Sequence, residues 1–155
     1  MINKLKLEIK VALFTLQQIF GTEHIISGSV ADFINICDMS IYFEPNDLDI
    51  VLTPNQLKTL KRYFFVREVE GLYNDNVVVE CFTNIGGCNI DIFVKDDFKD
   101  EESDVFKFGD WNFKKTSIKA RLKQHHKAIK SKNISNYRKR KHQNRLTFYK
   151  IRFKK

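Results

Sequence analysis

The sequence predicts an α+β fold: a small mixed β-sheet flanked by helices, with a basic C-terminal helical extension. Three observations lead there. Segments of helical period open and close the chain, β-rich runs occupy its middle, and charge divides sharply between the two parts. Residues 111–155 hold 17 Lys/Arg and no carboxylate, whereas residues 1–110 hold 10 Lys/Arg and 19 Asp/Glu. A chain of 155 residues supports one core with an appendage. The expected organisation is therefore a core over 1–110 and a basic helical extension over 111–155 packed on it. Such asymmetry suits an acidic working part joined to a module for a polyanion.

Taken in order, Leu5, Ile9, Ala12, Leu13, Leu16, Ile19 and Phe20 recur at helical spacing and Gly21 follows as a stop, so residues 5–20 read as an amphipathic helix. His24 to Ser27 reads as a short strand running into Gly28-Ser29, and Val30 to about Asp38 as a second helix. In Asp47-Leu48-Asp49-Ile50-Val51-Leu52 the polar and apolar residues alternate, which predicts a strand with Leu48, Ile50 and Leu52 toward the core and both aspartates on the other face. Thr53-Pro54 supplies an N-cap and first helical residue for a helix through Leu57, Leu60 and Phe64.

Residues 77–82 and 89–94 are β-rich and flank Asn84-Ile85-Gly86-Gly87, a hairpin turn, so Asp91 alternates with Ile90 and Ile92 as Asp49 does with its neighbours. An acidic loop over 96–104 and a strand over 105–108 complete the core. Beyond Trp111, helices are expected over 117–130 and 136–152, with one of His125 and His126 facing the core and the other solvent.

Composition narrows the class. With 43% hydrophobic and 13% aromatic residues, six Gly and two Pro, the chain is neither collagen-like nor broadly disordered. No run approaches the roughly 18 apolar residues of a membrane span, and the first residues lack the apolar region of a signal peptide, so a cytoplasmic protein is expected. Cys37, Cys81 and Cys88 lack the spacing of a zinc site and read as buried free thiols, with Cys81 and Cys88 facing each other across the hairpin as the alternative.

The chemistry lies in the aspartates. Two of them two apart on a strand share a face, where charges about 7 Å apart repel by about 2 kcal/mol at an effective dielectric near 20. Folding gains nothing from that arrangement, but a divalent cation reverses its sign, and magnesium prefers such oxygen ligands together with water and phosphate. Asp91, presented in the same way, supplies a third carboxylate if its strand lies beside that of Asp47 and Asp49. Glu80 is the alternative third ligand. Gly28-Ser29 at a strand-to-helix turn offers backbone amides, a hydroxyl and space for a phosphate.

In Ile25-Ile26-Ser27-Gly28-Ser29, Asn46-Asp47-Leu48-Asp49-Ile50-Val51-Leu52 and Asn89-Ile90-Asp91-Ile92-Phe93, the sequence resembles the nucleotidyltransferase superfamily of DNA polymerase β, the CCA-adding enzymes, and the aminoglycoside and minimal nucleotidyltransferases. The likeness spans about residues 5–95. It implies the nucleotidyltransferase fold and a two-metal enzyme that transfers a nucleoside monophosphate from a nucleoside triphosphate (NTP) to a hydroxyl acceptor. By that resemblance Asp47 and Asp49 bind both Mg2+ ions, Asp91 completes the nucleophile-side site, and Gly28 and Ser29 hold the triphosphate. Seventeen residues separate Ser29 from Asp47, against roughly ten in the compact members, so the interval between the motifs is longer here. The segment Lys141-His142-Gln143-Asn144-Arg145-Leu146 looks like a Lys-His-x-x-Asp-Leu helix of some small-substrate relatives, with Arg145 in place of the acid.

The basic extension points to RNA, such as a tRNA end, as acceptor. Tyr137, Phe148, Tyr149 and Phe153 interleave with Arg138-Lys139-Arg140-Lys141 and Arg145, as in surfaces that grip phosphates and stack on bases. The same site acting on a protein or small-molecule hydroxyl, a catalytically inactive module of this fold that binds nucleic acid or protein, and a homo-oligomer joined through acidic and basic halves are the alternatives. Ser29 is no hydrolase nucleophile, since Gly-x-Ser-x-Gly is absent. Trp111 reads as a packing anchor before a base-stacking residue.

Overall fold

Seven strands form one mixed sheet, and five helices accompany it, in a computed structural model that describes residues 4–36, 44–69, 77–99 and 101–153. The order is α1 (Leu7–Phe20), β1 (Ile25–Ser27), α2 (Gly28–Ile36), β2 (Leu48–Leu52), α3 (Pro54–Leu60), β3 (Arg67–Val69), β4 (Val77–Ile85), β5 (Cys88–Lys95), β6 (Ser103–Phe108), β7 (Trp111–Thr116), α4 (Ile118–Lys130) and α5 (Asn136–Phe153). Across the sheet the strands lie β3-β4-β5-β2-β1-β7-β6. The pairs β2–β5 and β1–β7 are parallel and the rest antiparallel. The class is therefore α+β with a mixed sheet. Cys37 and Asp38, at the end of the expected second helix, lie outside the described residues.

Local chemistry accounts for the boundaries. The side chains of Ile9, Ala12, Leu13, Leu16 and Phe20 bury one face of α1, which stops at Gly21, whose φ of 59° is open to glycine at no steric cost. Thr53 and Gln56 close a reciprocal capping box on α3, with Pro54 in its first turn. Ser117 caps α4 by accepting from the Ala120 amide at 3.2 Å.

The core gathers Ile26, Leu48, Ile50, Ile90 and Ile92 from the sheet against α1 and the Val30, Phe33 and Ile34 side of α2. Helix α2 is enclosed all round: every residue from Val30 to Ile36 is buried, and α4 and α5 cover the part of it that the sheet does not. Phe14 of α1 meets Phe108, Trp111 and Phe113 at ring distances of 5.5–5.8 Å, so Trp111 is a packing residue, 38% exposed.

Segment 111–155 opens with a strand before its two helices. β7 hydrogen-bonds to β1 on one side and β6 on the other. Lys114 and Lys115 obscure it in the sequence, but Lys115 is buried and its ammonium pairs with the Asp104 carboxylate on β6. Cys81 and Cys88 do not face each other, because Cys81 stands opposite Ile92 and Cys88 opposite Ile85; both are buried free thiols. Burial, followed by the charges of Asp47 and Glu8, raises the Cys88 thiol to about 11. Among the described residues no helix is long and apolar enough to cross a membrane.

Candidate functional site

The strand pairing sets the site. Parallel β2 and β5 align Leu48 with Ile90, Asp49 with Asp91 and Ile50 with Ile92, so the buried rows coincide and the two aspartates are neighbours on the opposite face. Antiparallel β1 places Ser27 beside Asp49 on its other side. Ser27, Asp49 and Asp91 thus form one row across three strands, with Asp47 one residue ahead of β2. Glu80 does not stand opposite Asp91; that place belongs to Phe82, and Glu80 pairs with Phe93 one step along the same face.

The electrostatics follow from this crowding. Burial, then the Asp91 and Asp47 charges, raise the Asp49 carboxyl to about 7, while Arg121 of α4 opposes the rise. Asp91 is also raised, by burial and then by Asp47, with Arg138 of α5 acting in the other direction. Side-chain hydrogen bonding between the two carboxyls adds to the rise at Asp49 and opposes it at Asp91. Among the described residues no three His, Cys, Asp or Glu side chains already stand at metal-ligand spacing.

Gly28 turns β1 into α2 with φ at 61° and lies against the Asp49 carboxylate. Only glycine accommodates both conditions. Ser29, next in the first turn of α2, is half-buried. Of the residues expected from sequence, Asp47, Asp49, Asp91 and Gly28 are therefore brought together, and Ser29 adjoins them.

A second polar group was not legible in the sequence. Asp32, in the buried middle of α2, accepts from Arg121 Nε and Nη2, both at 2.8 Å, and from Tyr149 Oη at 2.5 Å. His125 Nε2 stands 2.9 Å from its Oδ2, and Arg145 Nε 3.8 Å away. Asn35 donates to Tyr149 Oη at 3.1 Å. Burial alone would raise the Asp32 carboxyl, but Arg121 and then His125 hold it well below the usual carboxylate range. His125 Nδ1 and His142 Nδ1 are 2.8 Å apart. One consistent proton placement has His142 donating to His125 and His125 donating onward to Asp32.

This network alters the expected roles of the extension. His125 is buried and His126 exposed, as one-in, one-out placement requires. Arg145 and Tyr149, expected among the groups that grip phosphates, instead pack around Asp32. An aspartate between Ala31 and Phe33 in an apolar helix was the available signal, since a buried carboxylate demands a cation. Which cation answers it is set by how the helices dock.

No protein-family model matches the sequence. No curated protein matches it either. Among solved structures, the chain is similar to the crystal structure of JHP933 from Helicobacter pylori, with TM-score 0.49 and 13% identity over 86% of this chain. The match covers 62% of that protein's chain, less than two thirds of its length.

Proposed function

We propose that this protein is a nucleotidyltransferase of the DNA polymerase β type, which moves a nucleoside monophosphate from an NTP to a hydroxyl, with RNA as the acceptor. The observation that carries the reading is the in-register pairing of Asp49 with Asp91, with Asp47 beside them and Gly28 against the Asp49 carboxylate. Three carboxylates in one place, one of them raised to about 7 by burial and its neighbours, form a site short of positive charge. Its donors are all oxygen, which suits Mg2+.

Asp47 and Asp49 would hold two Mg2+ ions in common and Asp91 would complete the one on the acceptor side. When bound, the ions supply charge neutralisation at the triphosphate and acidify the acceptor hydroxyl. The chain's own contribution is positioning. Gly28 lets the chain turn directly against the Asp49 carboxylate, and the Ser29 hydroxyl with the first amides of α2 offers donors to the phosphates. The acceptor oxygen bonds to the α-phosphorus as the bond to pyrophosphate breaks, and the acceptor's proton leaves to solvent. No covalent intermediate with the protein is required.

Isothermal calorimetry with each NTP tests the reading. Binding that requires Mg2+ and disappears in Asp47→Ala and Asp49→Ala is expected; binding indifferent to both would remove the site assignment. Incubation with each labelled triphosphate and total RNA then identifies the base and the acceptor.

A further inference from the structure

The aspartate row does not end at Asp91. Antiparallel β4 sets Phe82 opposite Asp91, and antiparallel β3 sets Arg67 opposite Phe82. With Ser27, Asp49 and Asp91 already aligned, five strands carry one continuous row: Ser27, Asp49, Asp91, Phe82, Arg67. Residues directly opposite one another share a face of the sheet, so the phenyl ring and the guanidinium lie on the face of the carboxylates. One strand spacing, about 4.8 Å, separates the Asp91 and Phe82 backbones, and a second brings in Arg67. The row therefore has two ends. Gly28-Ser29 stands at the β1 end, and Phe82 with Arg67 lies beyond Asp91 at the other.

Folding accounts poorly for this second end. Cys81 and Thr83, the neighbours of Phe82 along β4, are buried on the opposite face, whereas Phe82 is only half-buried and Arg67 is exposed. The Arg67 guanidinium carbon is 5.9 Å from the Phe82 ring centroid, at the outer limit of a cation–π contact. So loose and exposed a pair stabilises the sheet only slightly. β3 is an edge strand, where a charge such as Arg67 discourages pairing with other chains, but that need does not call for an aromatic ring beside it. Two residues before Arg67, Phe65 is 87% exposed, with its carbonyl accepting from Thr83 Oγ1 at 2.7 Å. Aromatic surface next to the carboxylates is thus left to solvent.

We infer that Phe82 and Arg67 form the subsite for the terminal nucleotide of the acceptor strand, its base stacking on the phenyl ring and its phosphate meeting the guanidinium. The inference rests on RNA being the acceptor in the proposed reaction, and it names the surface that holds the acceptor. Aromatic side chains on a sheet face, with cations for the backbone, are a common means of holding single-stranded nucleic acid. Position in the row assigns the ring to the acceptor. The phosphate donors at Gly28-Ser29 lie on the Asp49 side of the aspartate pair, and Phe82 lies on the Asp91 side. A protein hydroxyl brings no phosphate for Arg67 to bind, so a polynucleotide fits the pair better.

Two oligoribonucleotides of one sequence, carrying the fluorescent base 2-aminopurine at the 3′ end or in the middle, test it, because stacking quenches that base. Wild-type protein should quench the 3′-terminal probe more than the internal one. Phe82→Leu, which stays apolar but has no ring, should abolish that difference and weaken binding, read by anisotropy, by roughly five- to 150-fold. Phe82→Tyr should retain both. Arg67→Gln, at an exposed position, should keep the quenching and flatten the log–log salt slope by about 0.7, as for one lost phosphate contact. Mg2+-NTP binding in calorimetry should be unchanged by Phe82→Leu. Equal quenching at both positions, quenching that survives Phe82→Leu, or no RNA binding by the wild type would each overturn the inference. Loss of NTP affinity in Phe82→Leu would overturn it too, since the ring would then serve the incoming nucleotide. Failure of the proposed reaction reads differently. A wild type that binds no Mg2+-NTP but quenches the 3′-terminal probe through Phe82 keeps the subsite and removes the reaction. Intact Mg2+-NTP binding with quenching indifferent to Phe82 removes the subsite alone.

Discussion

Gly28 and Asp49 are packed so closely that a β-carbon on residue 28 would stand 1.8 Å from Asp49 Oδ2. No side chain fits there without displacing the carboxylate. Gly28→Ala also forces an L-residue into a left-handed backbone, at about 1–2 kcal/mol. The expected outcome is a folded protein with a modestly lower melting temperature and Mg2+-NTP binding weakened at least tenfold in calorimetry. Undiminished binding would show that Asp49 does not work from this position.

The raised Asp49 carboxyl has a pH signature. Because its folded pKa of about 7 exceeds its unfolded value, the folded protein without divalent cations binds this proton more tightly than the unfolded chain does. Its contribution to stability is present at low pH and is lost as pH rises from about 4 through about 7. The difference in melting temperature between Asp49→Asn and wild type should therefore grow in the variant's favour from pH 5 to pH 8. Millimolar Mg2+ should shrink that gap by stabilising the wild type. A gap constant across pH would mean that Asp49 is not crowded by its neighbours.

Asp32 is expected to matter for stability more than any other polar side chain. Asp32→Asn removes the negative charge from between Arg121 and Arg145, leaving buried cations uncompensated, and should cost about 3–5 kcal/mol. Urea denaturation would register this as a lower midpoint with an unchanged slope. A loss below about 1 kcal/mol would indicate that the arginines find water instead.

His24 predicts an acid limb of opposite sign. It is fully buried, and neither ring nitrogen has a hydrogen-bond partner; burial, then the Lys114 charge, lower its pKa to about 4. The unfolded chain takes up that proton first, so stability is present above about 6.5 and is lost as pH falls toward 4. His24→Leu should flatten this limb in thermal melts between pH 4 and 7 while leaving neutral stability similar or higher. A limb that persists in the variant belongs to other groups, His142 being one whose pKa is also lowered to about 4, by burial and then His125.

Periodicity made α1, β2, α3, β4, β5 and both C-terminal helices readable, because their apolar residues repeat at 3.6 or 2. The aspartate row was readable for the same reason: strand alternation fixes the face of Asp49 and Asp91 before any pairing is known. Their adjacency was not, since it depends on β2 choosing β5 as a parallel neighbour. β7 was missed because its lysines break the apolar alternation, and one of them is buried only through a partner on β6. The alternative that Cys81 faces Cys88 fails because Gly86-Gly87 alone makes the turn, which pairs Ile85 with Cys88 and sets Cys81 opposite Ile92.

The parallel pairing of β1 with β7 bears on how the chain can be divided. β1 is an inner strand, and the backbone on one of its sides is satisfied by residues from beyond the 1–110 boundary. A chain ended near Gly109 would leave β1 with open amides and carbonyls and Asp32 without its cations. Such a fragment would offer a sticky sheet margin to other copies of itself. Its failure in solution would thus reflect broken pairing, and an attempt to assay the acidic part alone would measure aggregation in place of function.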